Sequence, residues 1–456
     1  MSESALEVVV KTPYGTVTIP KQDLRTEEAS KKKAVPKLDL SRDANPLSPV
    51  PAPSPLGGAG TGSLNVKTHE EGESKQSERQ LLNWLHDRIN PNTGLLESYF
   101  PSSQDMLKNQ AALYDQALAG IVFVWNGSGK EARALADFFM AHWRAEGFAN
   151  FYHAGSGYPG LEKISHLGPN AWLGIFLLHL YERTKNPRDL SLCESILRWA
   201  LRLRTYHGGS VMSDHDESRA PWSFVLSMEN NLDLYALIRE YLRLAKNSPL
   251  KDDLSKREKE LESYFQACCV RENGALVKIY RGGQKEEWDP IQALDTYSWL
   301  VLALGPEKLD SLGIPPSQVL QLMQEKFQAE DQGLRGFDFT DEEERYKMPR
   351  KPIVSMEWTC GVIAAYREAA KADSAQSEHY LAQADNFLKE IEKGIFFVKG
   401  DSSAIAYATR QSEPVFTKPP WWKTPQDGSH GNRAGSVASV CWYLLCKKGN
   451  PFRIRG

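Results

Sequence analysis

The chain has 456 residues, a net charge of −3 and 10% aromatic residues. A near-neutral chain offers no basic field for nucleic acid, and this length can bury a large core. No apolar run approaches the roughly 20 residues that span a bilayer, and no secretory apolar segment follows Met1. The expected compartment is periplasmic or extracellular if an export signal has been removed, and cytoplasmic otherwise.

Residues 1–75 read as an N-terminal arm. "VVVKTPYGTVTIP" predicts a small hairpin around Tyr14 and Gly15. The Pro-, Gly- and Ser-rich stretch that follows holds too little apolar surface to offset its ordering entropy. The arm is expected to be a linker, and a tether if the protein has a partner.

Residues 76–456 predict one all-α domain. Two kinds of helix alternate along it. "SERQLLNWLHDRI", "KEARALADFFMAHWRAE", "PRDLSLCESILRWALRLR", "LSKREKELESYFQACC", "PSQVLQLMQEKF" and "SEHYLAQADNFLKEIEK" are amphipathic. "YDQALAGIVFVW", "PNAWLGIFLLHLY", "MENNLDLYALIREYL", "LDTYSWLVLALG", "MEWTCGVIAAY" and "RAGSVASVCWYLL" are apolar nearly all round, so they are buried on all sides. The inward helices recur about every sixty residues, which marks a repeated hairpin. Six hairpins either run on as a solenoid or close. Small inward residues and the absence of polar capping repeats favour closure into an (α/α)6 toroid.

Connections from inward to outward helices are mostly short, such as "NGSG" and "TKNP". Those from outward to inward helices are long and rich in Gly, His, Tyr and Trp. In such a ring the long loops share one face with the N-termini of the inward helices, and long loops in compact domains are usually functional. Tyr158, Trp222, Trp288, Trp421 and Trp422 stand in these loops. Their rings suit the apolar faces of a sugar polymer, or pin the loops to the body.

"SMENNLDLYA" at Ser227 and "SMEWTCGVIAA" at Ser355 open two inward helices alike. Each brings a glutamate, Glu229 or Glu357, to the loop face. Asp115 and Asp295 hold the matching place on two others, and Asp233 lies one turn below Glu229 on the same side. Acids in a first turn can simply complement the helix dipole. Four helices converging on one concavity would instead push carboxyl pKa values apart, which yields the donor and acceptor of glycoside hydrolysis.

The remaining residues offer other chemistry little support. Cys193, Cys268, Cys269, Cys360, Cys441 and Cys446 fall in helix-like runs without metal spacing and read as buried small hydrophobes. No GxSxG elbow occurs. "SDHDES" at 213–218 lacks the length and glycine of a calcium loop. "DEEER" at 341–345 reads as a solvated charge run. His153, His166, His207, His215 and His430 are placed in loops, with none at an inward-helix start. No metal or cofactor is expected.

The alternating hairpins, with "YDQALAGIVF", "GPNAWLGIFLLHLYERT", "MENNLDLYA" and "ALDTYSWLVLALG", resemble the six-hairpin glycosidase superfamily over about residues 76–447. The resemblance implies a carbohydrate-active enzyme, usually inverting, with acids at inner-helix N-termini around an open groove. Carried onto this chain, those positions are Asp115, Glu229, Asp295 and Glu357, supported by Asp233. The expectation is that Glu229 protonates the leaving oxygen and Glu357 or Asp115 activates water, while Asp295 and Asp233 orient the sugar or tune the pair. Asn170, Tyr158, Trp172, Trp222, Tyr297, Trp358, Trp421 and Trp422 are the expected sugar contacts. A sugar epimerase, a polysaccharide lyase and a non-catalytic toroid binding a glycan or protein stay open.

Overall fold

The computed structural model describes residues 7–12, 15–20, 63–101, 106–205, 207–215, 222–284, 287–348, 350–398, 402–411, 413–417, 424 and 433–454, with backbone alone for 7–20 and 63–74. The chain forms two units, residues 1–62 and 63–456. In the first, β1 (Glu7–Thr12) pairs antiparallel with β2 (Gly15–Pro20), Thr12 opposite Gly15. Pro13 and Tyr14, the predicted turn, lie outside the described residues.

The second unit is a ring of helical hairpins. Its helices are α1 (Ser63–Asp87), α2 (Leu113–Trp125), α3 (Gly129–His142), α4 (Leu167–Thr184), α5 (Pro187–Arg202), α6 (Met228–Leu244) and α7 (Lys251–Cys268). Then come α8 (Leu294–Leu304), α9 (Pro306–Ser311), α10 (Pro316–Phe327), α11 (Glu342–Tyr346), α12 (Met356–Ala372), α13 (Ser377–Lys393) and α14 (Val437–Lys448). The inner ring closes in the order α2, α4, α6, α8, α12, α14 and back to α2. Outside it, α3, α5, α7, α10 and α13 back their hairpin partners, and α1 backs α14. This is the (α/α)6 toroid.

Small residues let the inner helices touch. A β-carbon on Gly120 would lie 2.5 Å from the Phe176 ring, and one on Gly361 would lie 2.6 Å from the Trp299 ring. Helix α1 begins at Ser63 rather than near residue 76. Its early stretch "KTHEEGESKQ" is rich in helix-forming Glu, Lys and Gln but has no apolar residue, so periodicity could not mark it.

Residues 449–454 fold back under the C-terminal ends of the inner helices. Asn450 donates to the Leu302 carbonyl at 2.9 Å, and the Ile454 N–H donates to Glu240 at 3.2 Å. Between them Phe452 is fully buried against Trp172 and Trp299, with ring centroids 4.5 and 5.7 Å away. Trp442 lies 5.9 Å from Trp172 and 4.8 Å from Trp299. This aromatic cluster fills the inner barrel just beneath Tyr114 and Asp233.

The loops are laced by short antiparallel pairs. Gln110–Ala112 pairs with Phe151–His153, Val225–Ser227 with Gly282–Gln284, and Tyr99–Phe100 with Gly435–Ser436. Residues 341–345 are only partly a solvated run: Glu342 and Glu343 are exposed, but Asp341 and Glu344 are buried. Asp341 caps α11 by accepting from the Glu344 N–H at 3.0 Å, and buried Glu344 accepts from the Thr417 N–H at 2.9 Å. Burying these acids is tolerable because backbone donors satisfy them.

Candidate active site

Four inner helices bring acids to the loop face. The shared Ser-Met-Glu opening is a capping arrangement. Ser227 Oγ accepts from the Asn230 N–H and Ser355 Oγ from the Trp358 N–H, both at 3.2 Å. Serine at this position meets one orphan donor of the helix end, and it places Glu229 and Glu357 alike at the second helical residue. Asp115 and Asp295 lie in the first turns of α2 and α8. Asp233 follows Glu229 by one turn on α6.

All five carboxyls are deep in protein. Asp115, Asp295 and Glu357 are 4% exposed and Asp233 1%, while Glu229 is enclosed but keeps part of its surface open to solvent. The dipole at a helix N-terminus favours the anion by only about 0.3–1 kcal/mol, and burial outweighs it. Burial raises Asp115 to about 7 against a nearby Ser98 hydroxyl. Burial raises Asp295 to about 7 against donors from Thr296 and the charge of Arg281. Glu357 rises to about 8 through burial, opposed by a hydrogen bond from Tyr114 and helped by the charges of Asp115 and Asp295. Burial, then Asp295 and Glu357, pushes Glu229 well above the carboxylate range. Burial, then Glu229 and Asp295, does the same to Asp233. Groups coupled this closely titrate as a set.

Asp233 sits at the base of the cluster. Its two oxygens have no hydrogen-bond partner, and neither have the indole N–H groups of Trp172 and Trp299. Those indoles lie close enough to favour its anion but short of bonding geometry.

The expected sugar contacts divide. Asn170 accepts from the Phe148 N–H at 2.8 Å and donates to the Phe148 and His166 carbonyls at 3.0 and 2.8 Å, so its amide is spent on holding a loop. Tyr297 accepts from the Ile279 N–H at 3.0 Å and donates to Gln292 at 2.5 Å, which also commits it to the scaffold. Trp172 belongs to the aromatic cluster. Trp358 is 4% exposed and lies edge-on to Phe339 at 4.9 Å. Trp222 is half-buried and edge-on to His166 at 5.2 Å. Tyr158 is 75% exposed. Trp421 and Trp422 lie outside the described residues.

His166, read as a loop residue, is the buried N-cap position of α4 and meets Glu162 at 2.9 Å. Three residues near the acids carried no sequence signal. Tyr114 donates to Glu357, the Tyr407 phenol feels the charges of Glu357, Asp115 and Asp295, and Arg281 acts on Asp295 while meeting Asp289 at 2.8 Å. A separate cleft of about 510 Å³ lies against α3, lined by Trp143, Arg144 and Lys163 among others, and includes none of the five acids. Among the described residues no group of His, Cys, Asp or Glu is arranged to hold a metal ion, and no helix is long and apolar enough to cross a membrane. The six cysteines are free thiols.

The closed ring of six hairpins, with acids at its inner-helix N-termini, defines an (α/α)6 toroid. Solved structures of a glycosidase, an epimerase and a mannanase share this fold. A glycosidase solved in complex with glucose matches at 11% identity and a TM-score of 0.55, over 85% of this chain and 98% of that one. A cellobiose 2-epimerase from Bacillus thermoamylovorans matches at 11% identity and 0.59, over 84% and 100%. An alpha-mannanase from Bacteroides thetaiotaomicron matches at 10% identity and 0.50, over 82% and 95%. No protein-family model and no curated protein sequence matches the chain.

Proposed function

We propose that the protein is a glycoside hydrolase that cleaves a polysaccharide or oligosaccharide with inversion. The observation that carries this reading is the group of five carboxyls on inner helices at the loop face, four of them buried and Glu229 partly open. The solved structures of this fold that act on sugars are in keeping with it.

Glu229 is the general acid. It alone of the five keeps a partly open surface, and burial with the charges of Asp295 and Glu357 holds its proton. The proton passes to the glycosidic oxygen as the bond from that oxygen to the anomeric carbon breaks. Glu357 is the general base. It takes a proton from water as the water oxygen attacks the anomeric carbon from the opposite face. Asp115 and Asp295 stand beside this pair on α2 and α8. Their charge favours the cationic sugar of the transition state.

The test is digestion of neutral, uronic and amino-sugar glycans, with the anomeric form of the first product followed by NMR. Glu229→Gln is expected to bind the cleaved glycan and to lower kcat by about 10² or more. Near-wild-type turnover in both Glu229→Gln and Glu357→Gln would remove this mechanism. A product of unchanged length with one inverted carbon would establish an epimerase. Binding without any product would leave a glycan-binding toroid.

A further inference from the structure

The Glu357 carboxyl does not stand alone. Tyr114, the neighbour of Asp115 on α2, donates its phenol hydrogen to Glu357 Oε1 at 2.8 Å. The phenol oxygen in turn accepts from Trp442 Nε1 on α14 at 2.7 Å. An indole nitrogen can only donate. Trp442 therefore occupies a lone pair of the phenol and leaves its hydrogen for the carboxyl. The ring is held as well, lying edge-on to Trp172 with centroids 5.6 Å apart and planes at 76°. Three inner helices thus fix one side chain, and that side chain fixes one oxygen of Glu357.

We propose that Tyr114 is the positioning residue of the active site: fixed by Trp442, it holds Glu357 Oε1 and leaves Oε2 to receive the proton of the attacking water. The assignment rests on Glu357 as the base. A phenol that donates to a carboxylate stabilises the anion, so Tyr114 also sets the pH at which Glu357 becomes competent. The other groups facing Glu357 all oppose its ionisation or respond to it: Asp115 from α2, Glu229 from α6, Asp295 from α8, Cys360 from α12 itself, Cys441 from α14, and Tyr407 from the loop after Ile405. Tyr114 is the group among these that hydrogen-bonds it.

The test is Tyr114→Phe, which keeps the ring and removes the hydroxyl. On a cleaved glycan the acid limb of kcat/KM is expected to move to higher pH by about one pH unit. The loss at neutral pH is expected in kcat, with KM little changed and activity recovering as pH rises. Trp442→Phe should move the limb in the same direction by less. A second readout needs no turnover. The infrared carboxyl band that disappears in Glu357→Gln should titrate at higher pH in Tyr114→Phe than in the wild-type protein. A band that moves in a protein that cleaves no glycan would uphold the contact while removing the hydrolase reading. An unmoved band and limb in a folded Tyr114→Phe protein, or a loss entirely in KM, would overturn the proposal.

Discussion

Gly168 and Asp233 are in contact across the α4–α6 seam: a β-carbon on Gly168 would lie 2.8 Å from Asp233 Oδ2 and 2.8 Å from the Asn230 amide carbon. The Gly168 N–H donates to Asn230 Oδ1 at 2.9 Å. Both neighbours are buried and belong to the first turns of α6, so neither can give way cheaply. Gly168→Ala is expected to cost about 1–3 kcal/mol and to displace the base of the acid cluster. Urea unfolding measures the first effect. Substrate turnover measures the second.

The acid cluster makes stability fall as pH rises. Asp115, Asp295 and Glu357 have folded pKa values of about 7, 7 and 8, raised chiefly by burial. Between about pH 4 and these values the folded protein holds protons that the unfolded chain has released, so the slope of stability with pH is negative. Their contribution is complete below about pH 4 and is lost as pH rises through 7–8. Asp115→Asn or Glu357→Gln should therefore raise Tm more at pH 8 than at pH 5, by on the order of 2 kcal/mol in stability. Thermal unfolding across this range checks the sign, and an equal effect at both pH values would contradict it.

Phe452 fills the barrel beneath the acids, between Trp172 and Trp299. Phe452→Ala should cost about 3–5 kcal/mol, the range for a buried aromatic cut to alanine. The nearby Asp233 region should loosen with it, seen as faster amide exchange at the start of α6.

Arg257 is 1% exposed and ties α7 to the loop before α6. It donates to the Gly208 carbonyl at 2.8 Å and to Ser210 Oγ at 2.7 Å, and meets Glu260 at 3.2 Å. Lysine cannot reproduce this fork. Arg257→Lys should cost about 1–3 kcal/mol for the donors and acceptors left unmade, and denaturant unfolding at neutral pH measures it.

What the sequence revealed depended on how local the cause was. Burial on all sides is written into "YDQALAGIVFVW" and its five counterparts, so the inner ring was legible. The acids were legible because a serine cap fixes Glu229 and Glu357 at the same helical position. The first turns of α1 have no apolar stripe and were read as arm. The short strand pairs span too few residues for alternation to show. Residues 341–345 look solvated because only a contact from Thr417 reveals why Glu344 is buried. The role of Tyr114 was invisible for the same reason, since its partner Trp442 is 328 residues away in the chain.

The stopper of Phe452, Trp172, Trp299 and Trp442 makes the ring a cup rather than a tunnel. A chain cannot thread along the barrel axis and emerge behind the acids. A molecule that reached the acids past the loops would have to leave by the same side.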